Sequence, residues 1–206
     1  MSTTPGELEI RRLPVRHLDP LTFEPYGTIV GPETAESPNF NRAPGNLGYL
    51  WIQKALEFPR QPYVGCVRYY YRATRCEFLQ KHPASTVVLI PMGAGTSVIF
   101  VAIDDGSDRP DLSTAQAILL EGGRGVVLHR GTWVRYAFPL SPFVDFAYVT
   151  QRVDPATANV SDDVVRSRLD EDFGLVLDVD FRPGAGMEIG PAGTVVSGPP
   201  RNPPFE

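Results

Sequence analysis

The feature that most constrains this chain is a succession of short runs rich in β-branched and aromatic residues, each closed by Gly, Pro or Asp. It opens at Val64-Gly65-Cys66-Val67-Arg68-Tyr69-Tyr70-Tyr71-Arg72. Further runs follow at Thr86 to Ile90, Ser97 to Ile103, Thr114 to Leu120, Gly125 to Leu128, Thr132 to Phe138 and Val144 to Arg152. Such residues suit a pleated, half-buried surface, and the clusters between them supply turns. Strands this short and this closely spaced predict an all-β fold with short helices, a sandwich or a barrel. The 21 prolines and 19 glycines agree, because both interrupt long helices.

The flanks read differently. Asp19-Pro20-Leu21-Thr22-Phe23-Glu24 has a capping side chain and a proline at the first helical position, and Pro25 and Gly27 end it, so a helix of one or two turns is expected. Thr28 to Val30 reads as a short strand and Gly31 to Gly48 as a long loop. After Arg152, Ser161-Asp162-Asp163 is expected to cap a helix reaching about Asp172, with Val164, Val165 and Leu169 on one face. Phe173 to Phe181 suggests an edge strand. Residues 182–206 hold Pro183, Pro191, Pro199, Pro200, Pro203 and Pro204 and little to bury, which predicts a flexible or draped tail. Residues 1–181 are therefore expected to form one barrel domain, with 182–206 outside it.

Charge and hydropathy narrow the function classes. A net charge of −5 and a pI near 5.3 offer no basic footprint for nucleic acid. No apolar run approaches a membrane span and the first residues lack the apolar core of a secretory signal, so a cytoplasmic protein is expected. Cys66 and Cys76 have neither zinc-site spacing nor a disulfide framework, and read as reduced thiols.

Three stretches put ionisable and aromatic groups next to turns, where a barrel mouth presents them to a small molecule. In Arg75-Cys76-Glu77-Phe78-Leu79-Gln80-Lys81-His82-Pro83, Glu77 and His82 are candidate acid and base; the plainer reading is a solvated Glu77 and Lys81 with His82 in a turn. In Gly125 to Tyr136, Arg130-Gly131 reads as a hairpin turn flanked by His129 and Thr132-Trp133. Alternation then sets Trp133 and Arg135 on one face and Val134 and Tyr136 on the other. An inward Arg135 is a carboxylate clamp; an outward one is a surface ion pair. In Tyr69-Tyr70-Tyr71-Arg72, either Tyr69 and Tyr71 or Tyr70 and the flanking arginines face the pocket. Asp104-Asp105-Gly106-Ser107-Asp108 lacks the last carboxylate of a calcium loop and reads as a plain connection.

Taken in order, Tyr26-Gly27, Leu79-Gln80-Lys81-His82-Pro83, Ile90-Pro91-Met92, Pro110-Asp111-Leu112-Ser113-Thr114 and Gly131-Thr132-Trp133 resemble the ureidoglycolate lyase family over about the first three-quarters of the chain. The resemblance implies a cupin-type β-barrel, a homodimer, and cleavage of ureidoglycolate to glyoxylate and urea. That reaction needs one base for the hydroxyl proton, one acid for the departing urea nitrogen and an anchor for the carboxylate.

The chain departs from the family at telling places. Gln80 stands where the family has Glu before Arg-His-Pro or Lys-His-Pro, and Val87 stands where it has Gln. Val134-Arg135 follows Gly-Thr-Trp where it has His, often a pair. With Ala84 offering no second ligand after His82, a cupin's three-histidine-plus-carboxylate metal set cannot be assembled, and neither metal nor other cofactor is expected. In this scheme His82 or His129 is the base, Glu77 replaces the missing acid and Arg135 holds the carboxylate. Arg75, Tyr71, Trp133 and Lys81 are further substrate contacts. The alternatives are a relative acting on a different small organic acid, or a non-catalytic binding cupin.

Overall fold

In the computed structural model, residues 8–31, 41–42, 49–50, 55–151 and 164–181 are described. The chain runs β1 (Glu9–His17), α1 (Pro20–Phe23), β2 (Gly27–Val30), β3 (Asn41–Arg42), β4 (Tyr49–Leu50), β5 (Pro62–Tyr70), β6 (Phe78–Lys81) and β7 (Val87–Met92). It continues through β8 (Ser97–Asp104), β9 (Pro110–Leu120), β10 (Gly125–Leu128), β11 (Trp133–Pro139), β12 (Phe143–Gln151), β13 (Val165–Arg168), α2 (Leu169–Asp172) and β14 (Leu175–Asp180). A seven-stranded sheet has the order β13-β6-β11-β8-β9-β1-β14, and a five-stranded sheet the order β2-β10-β7-β12-β5. The all-β, cupin-type expectation holds: the two sheets enclose one core as a double-sheet roll.

That core takes Ile29, Leu89, Val126, Leu128, Val144 and Phe146 from the smaller sheet and Ile99, Val101, Ile118, Leu120, Val134 and Ala137 from the larger. Strand alternation sends the remaining residues of the larger sheet to its other face, where Phe100, Trp133, Phe138, Leu79, Leu169 and Leu177 form a second core. The larger sheet curls round this second core, since Cys76, just before β6, bridges to Leu177 of β14 at the far end of the strand order.

α1 forms as the sequence indicates, with the Asp19 carboxylate accepting from the Leu21 and Thr22 amides and Phe23 buried. The edge strand near the end also forms, as β14, pairing in parallel with β1. Two expectations are corrected. Arg130-Gly131 is a turn but not a hairpin: β10 pairs with β2 and β7, whereas β11 pairs with β6 and β8, so the turn carries the chain from one sheet to the other. The helix expected over 161–172 survives only as the single turn α2. Val165–Arg168 instead pairs with β6 and buries Ser167, because period-two burial through Ser167 to Leu169 extends an existing sheet. The proposed cap at Ser161, most of the loop from Gly31 to Gly48, and the tail 182–206 lie outside the described residues. No helix among the described residues is long and apolar enough to cross a membrane.

Candidate functional site

Tyr69, Tyr136 and Tyr148 pack against the first core, and the Tyr136 hydroxyl lies 2.9 Å from His82 Nε2. The phenol donates in this bond when Nε2 is unprotonated and accepts when it is protonated, so the pair can pass a proton in either direction. His82 is half-buried just past β6, and its backbone carbonyl accepts from the Gly131 amide, which ties the ring's position to the sheet-crossing turn. Of the acid–base candidates, His82 is the one that meets another titratable side chain of the barrel interior.

Arginines gather beside Tyr136. Arg72 Nη2 donates to the carbonyls of Tyr136 (2.9 Å) and Ala137 (3.2 Å), which the irregular register of β11 between Arg135 and Phe138 turns towards it. Its guanidinium lies 4.4 Å from the Phe138 ring centre; that of Arg135 lies 3.8 Å from Phe78 and 6.0 Å from Phe138. Burial holds both guanidiniums below the ordinary arginine range, and Arg135 is lowered further by the charge of Arg72. Burial raises the Tyr69 phenol, while Arg72 and Arg135 draw it back down. Arg135 thus leans on Phe138 of the second core, on the Trp133 face as alternation requires, and Tyr69 links it to the first.

The other expected site residues are dispersed. Lys81 is buried with its ammonium between Asp104 and Asp108 (2.7 Å to the latter) and 5.0 Å from the Trp133 ring centre. Trp133 Nε1 donates to the same Asp104 carboxylate at 2.9 Å. Burial works against the Lys81 charge, but the two carboxylates outweigh it and hold its pKa above the usual lysine value. Lys81 and Trp133 are thus joined to each other and to the acidic loop. His129 Nε2 donates to the Glu24 carbonyl at 3.1 Å, which directs the ring towards the α1 corner. Glu77 is exposed and acts electrostatically on Arg168, Arg75 is exposed, and Tyr71 follows β5 with its amide bonded to the Pro142 carbonyl. Among the described residues no group of three or more His, Cys, Asp or Glu is arranged to hold a metal ion.

Sequence reasoning offered Tyr69 and Arg72 only as alternative pocket-facing residues of one strand, and did not connect Tyr136 with His82. Alternation does carry Tyr136 to the inner face, but its bond to His82 spans 54 residues and leaves no local signal. Arg72 faces its neighbours because β5 stops at Tyr70, releasing it from the outward phase shared by Arg68 and Tyr70.

The short motifs meet around Tyr26. Its hydroxyl donates to the Thr114 carbonyl at 2.5 Å, and its carbonyl accepts from the Thr132 hydroxyl and the His129 amide, both at 2.9 Å. Thr114 Oγ1 donates to the Asp111 carbonyl and accepts from the Ile103 amide, bracing β9 where its register against β8 shifts. Gly131 has φ of 78°, and a Cβ on Gly27 would stand 2.4 Å from the Val127 carbonyl oxygen, so neither position accepts a side chain without strain.

Comparison with known proteins places this geometry in context. A "Ureidoglycolate lyase" of Salmonella paratyphi B is 38% identical over 71 residues, covering 34% of this chain and 43% of that protein. A protein of the same name from Escherichia coli O1:K1 / APEC is 40% identical over 68 residues, 33% of this chain and 41% of that one. The chain thus spans less than half the length of these curated relatives. Among solved structures, a dTDP-4-dehydrorhamnose 3,5-epimerase from Elizabethkingia anophelis aligns over 77% of this chain and 90% of its own, at 12% identity and a TM-score of 0.42. The ureidoglycolate lyase family profile matches residues 10–171, from β1 through most of α2, and on that match the chain belongs to the ureidoglycolate lyase family.

Proposed function

We propose that this chain cleaves the C–N bond of a small carbinolamide bearing a carboxylate, with ureidoglycolate, giving glyoxylate and urea, as the reference substrate. The observation that carries this reading is the His82–Tyr136 hydrogen bond, in a chain of this family. His82 takes the proton of the substrate hydroxyl. As the carbonyl forms, the C–N electron pair moves to the urea nitrogen, and Tyr136 protonates that nitrogen. Tyr136 is reprotonated through its bond to His82, so the cycle is proton-neutral. Arg135, supported by Arg72, holds the carboxylate. His82 is favoured over His129 because its ring meets a second proton-carrying group, Tyr136, whereas His129 Nε2 meets the Glu24 carbonyl, and Tyr136 is favoured over Glu77 because Glu77 lies beside Arg168.

The test is urea release from racemic ureidoglycolate by purified, chelator-treated protein, corrected for the spontaneous reaction. His82→Asn is expected to lower kcat by about 10²–10⁴-fold and Tyr136→Phe by a similar order, with His129→Asn close to the unaltered rate. An undiminished rate in His82→Asn overturns the assignment. A second reading, a relative that acts on a different organic acid, is favoured by Val134-Arg135 standing where the family carries histidine. It predicts no urea release above background, together with turnover of another acid that His82→Asn abolishes.

We also propose a homodimer. The exposed Tyr70 and its cross-strand partner Phe143, with Met92 on β7 nearby and Val64 further along β5, support it, and β5 lies at the sheet edge. Light scattering on Tyr70→Lys tests it, the expected result being a shift towards monomer.

A further inference from the structure

Three arginines share two rings, Phe78 and Phe138, near where β6, β11 and the end of β5 meet, and among the described residues no carboxylate pairs with them. Arg135 and Arg166 both lie over the Phe78 ring, at 3.8 and 5.6 Å, while Arg72 and Arg135 share Phe138. Each is close enough to act on the next, since Arg135 is lowered by the charges of both Arg72 and Arg166. Elsewhere in the barrel an arginine stacked on a ring also holds an acceptor. Arg68 on Phe143 makes a paired bond to Asp145, and Arg109 on Phe173 donates to the Asp172 carbonyl. In the cluster, Arg135 and Arg166 have no hydrogen-bond acceptor among the described residues, and Arg72, whose Nη2 holds two carbonyls, has its Nε buried without a partner among them. Like charges held together in this way repel one another, and an anion placed among them removes that repulsion.

We infer that Arg72, Arg135 and Arg166 bind a compact dianion, and that the substrate of this chain therefore carries a second acidic function beyond the single carboxylate of ureidoglycolate. The inference rests on the reading above that the arginine end of the site holds the substrate carboxylate. One carboxylate occupies one planar fork and leaves the charges of the other arginines uncompensated. A second negative charge, from another carboxylate or from a phosphate, offsets them. The Tyr69 phenol, within electrostatic reach of Arg72 and Arg135, adds a neutral donor at the inner side, and the exposed Arg166 marks the side open to solvent.

The experiment is isothermal calorimetry on the full chain with malonate, inorganic phosphate and acetate, at matched ionic strength and about pH 8, where the first two are doubly charged. Malonate or phosphate, or both, is expected to bind at least tenfold tighter than acetate, and the stronger of the two identifies the acidic group. Arg166→Gln should shrink that ratio about tenfold, with Arg166→Lys restoring part of it, and Arg135→Gln should weaken all three probes. Equal affinity for acetate and both dianions, or a ratio unchanged in Arg166→Gln, overturns the inference. Binding is read without turnover, so the two proposals fail separately. Dianion preference without urea release counts against the lyase reading alone; urea release without dianion preference counts against this inference alone.

Discussion

Lys81 and Arg135 sit on neighbouring strands, β6 and β11, and both are cations drawn into the protein, yet their surroundings are opposite. Lys81 meets Asp104 and Asp108 from the β8–β9 connection and is neutralised by its own chain. Arg135 meets two aromatic rings and other arginines. A cation whose counter-charge is built in belongs to the scaffold; Arg135, with no carboxylate beside it among the described residues, is the one for which a ligand is proposed. Residue type alone would have ranked the two alike.

The sharpest way to break this contrast is to remove a built-in counter-charge. Asp104→Ala leaves the Lys81 ammonium with Asp108 alone and strands the Trp133 N–H, and is expected to cost about 2 kcal/mol, Asp104 being itself a quarter exposed. The exposed Asp108, replaced by Ala, should cost less than about 1 kcal/mol. Urea denaturation midpoints measure both, and equal losses would show that the two carboxylates share the ion pair evenly. The opposite experiment is Arg135→Gln. It relieves repulsion from Arg72 and Arg166, so stability should stay within about 1 kcal/mol of the parent or rise. A loss near that of Asp104→Ala would make Arg135 part of the scaffold.

The pH dependence separates the regions further. Burial opposes the Asp104 charge, but bonds from Lys81 and Trp133 hold its pKa below the ordinary 3.8. Its contribution is therefore present above about pH 4 and fades as the pH falls through the lower folded value. Lys81 is raised above 10.5, so its part persists until the pH climbs past that value. The stability gap between parent and Asp104→Ala should thus be flat from about pH 5 to 9 and close in acid; a gap that varies near neutrality would implicate another group. The smallest effect concerns Cys76, beside the arginines. Burial pushes its thiol up to about 12, against the pull of Arg135 and Arg72. A thiol reagent near pH 8 should label only the exposed Cys66 in the native protein, and both cysteines after unfolding. Fast native labelling of Cys76 would mean that the arginine field outweighs burial there.

The strands were legible because β-branched and aromatic runs ended at Gly, Pro and Asp; β7 to β12 fall within a residue or two of most expected positions, apart from the earlier start of β9 at Pro110. Partnership was not. Nothing local to Arg130-Gly131 tells a hairpin from a passage between sheets, and β1, with Pro14 and four charged residues, lacks the composition of a strand held between two parallel neighbours. The site fared similarly. His82 and Arg135 stand out as candidates by residue chemistry alone, whereas the fate of Lys81 depended on carboxylates 23 and 27 residues away.

The tripeptide Gly131-Thr132-Trp133 and the run Pro110 to Thr114 are each accounted for by bonds that hold the barrel: a left-handed turn, two oxygens of Tyr26, the Asp104 carboxylate and a braced register shift. None of these residues needs a substrate to explain it. The signature by which such chains are recognised is therefore an architectural watermark, carried by the scaffold itself. Immediately after it two neighbouring residues part company: Val134 fills the first core, while Arg135 lies across the rings of Phe78 and Phe138.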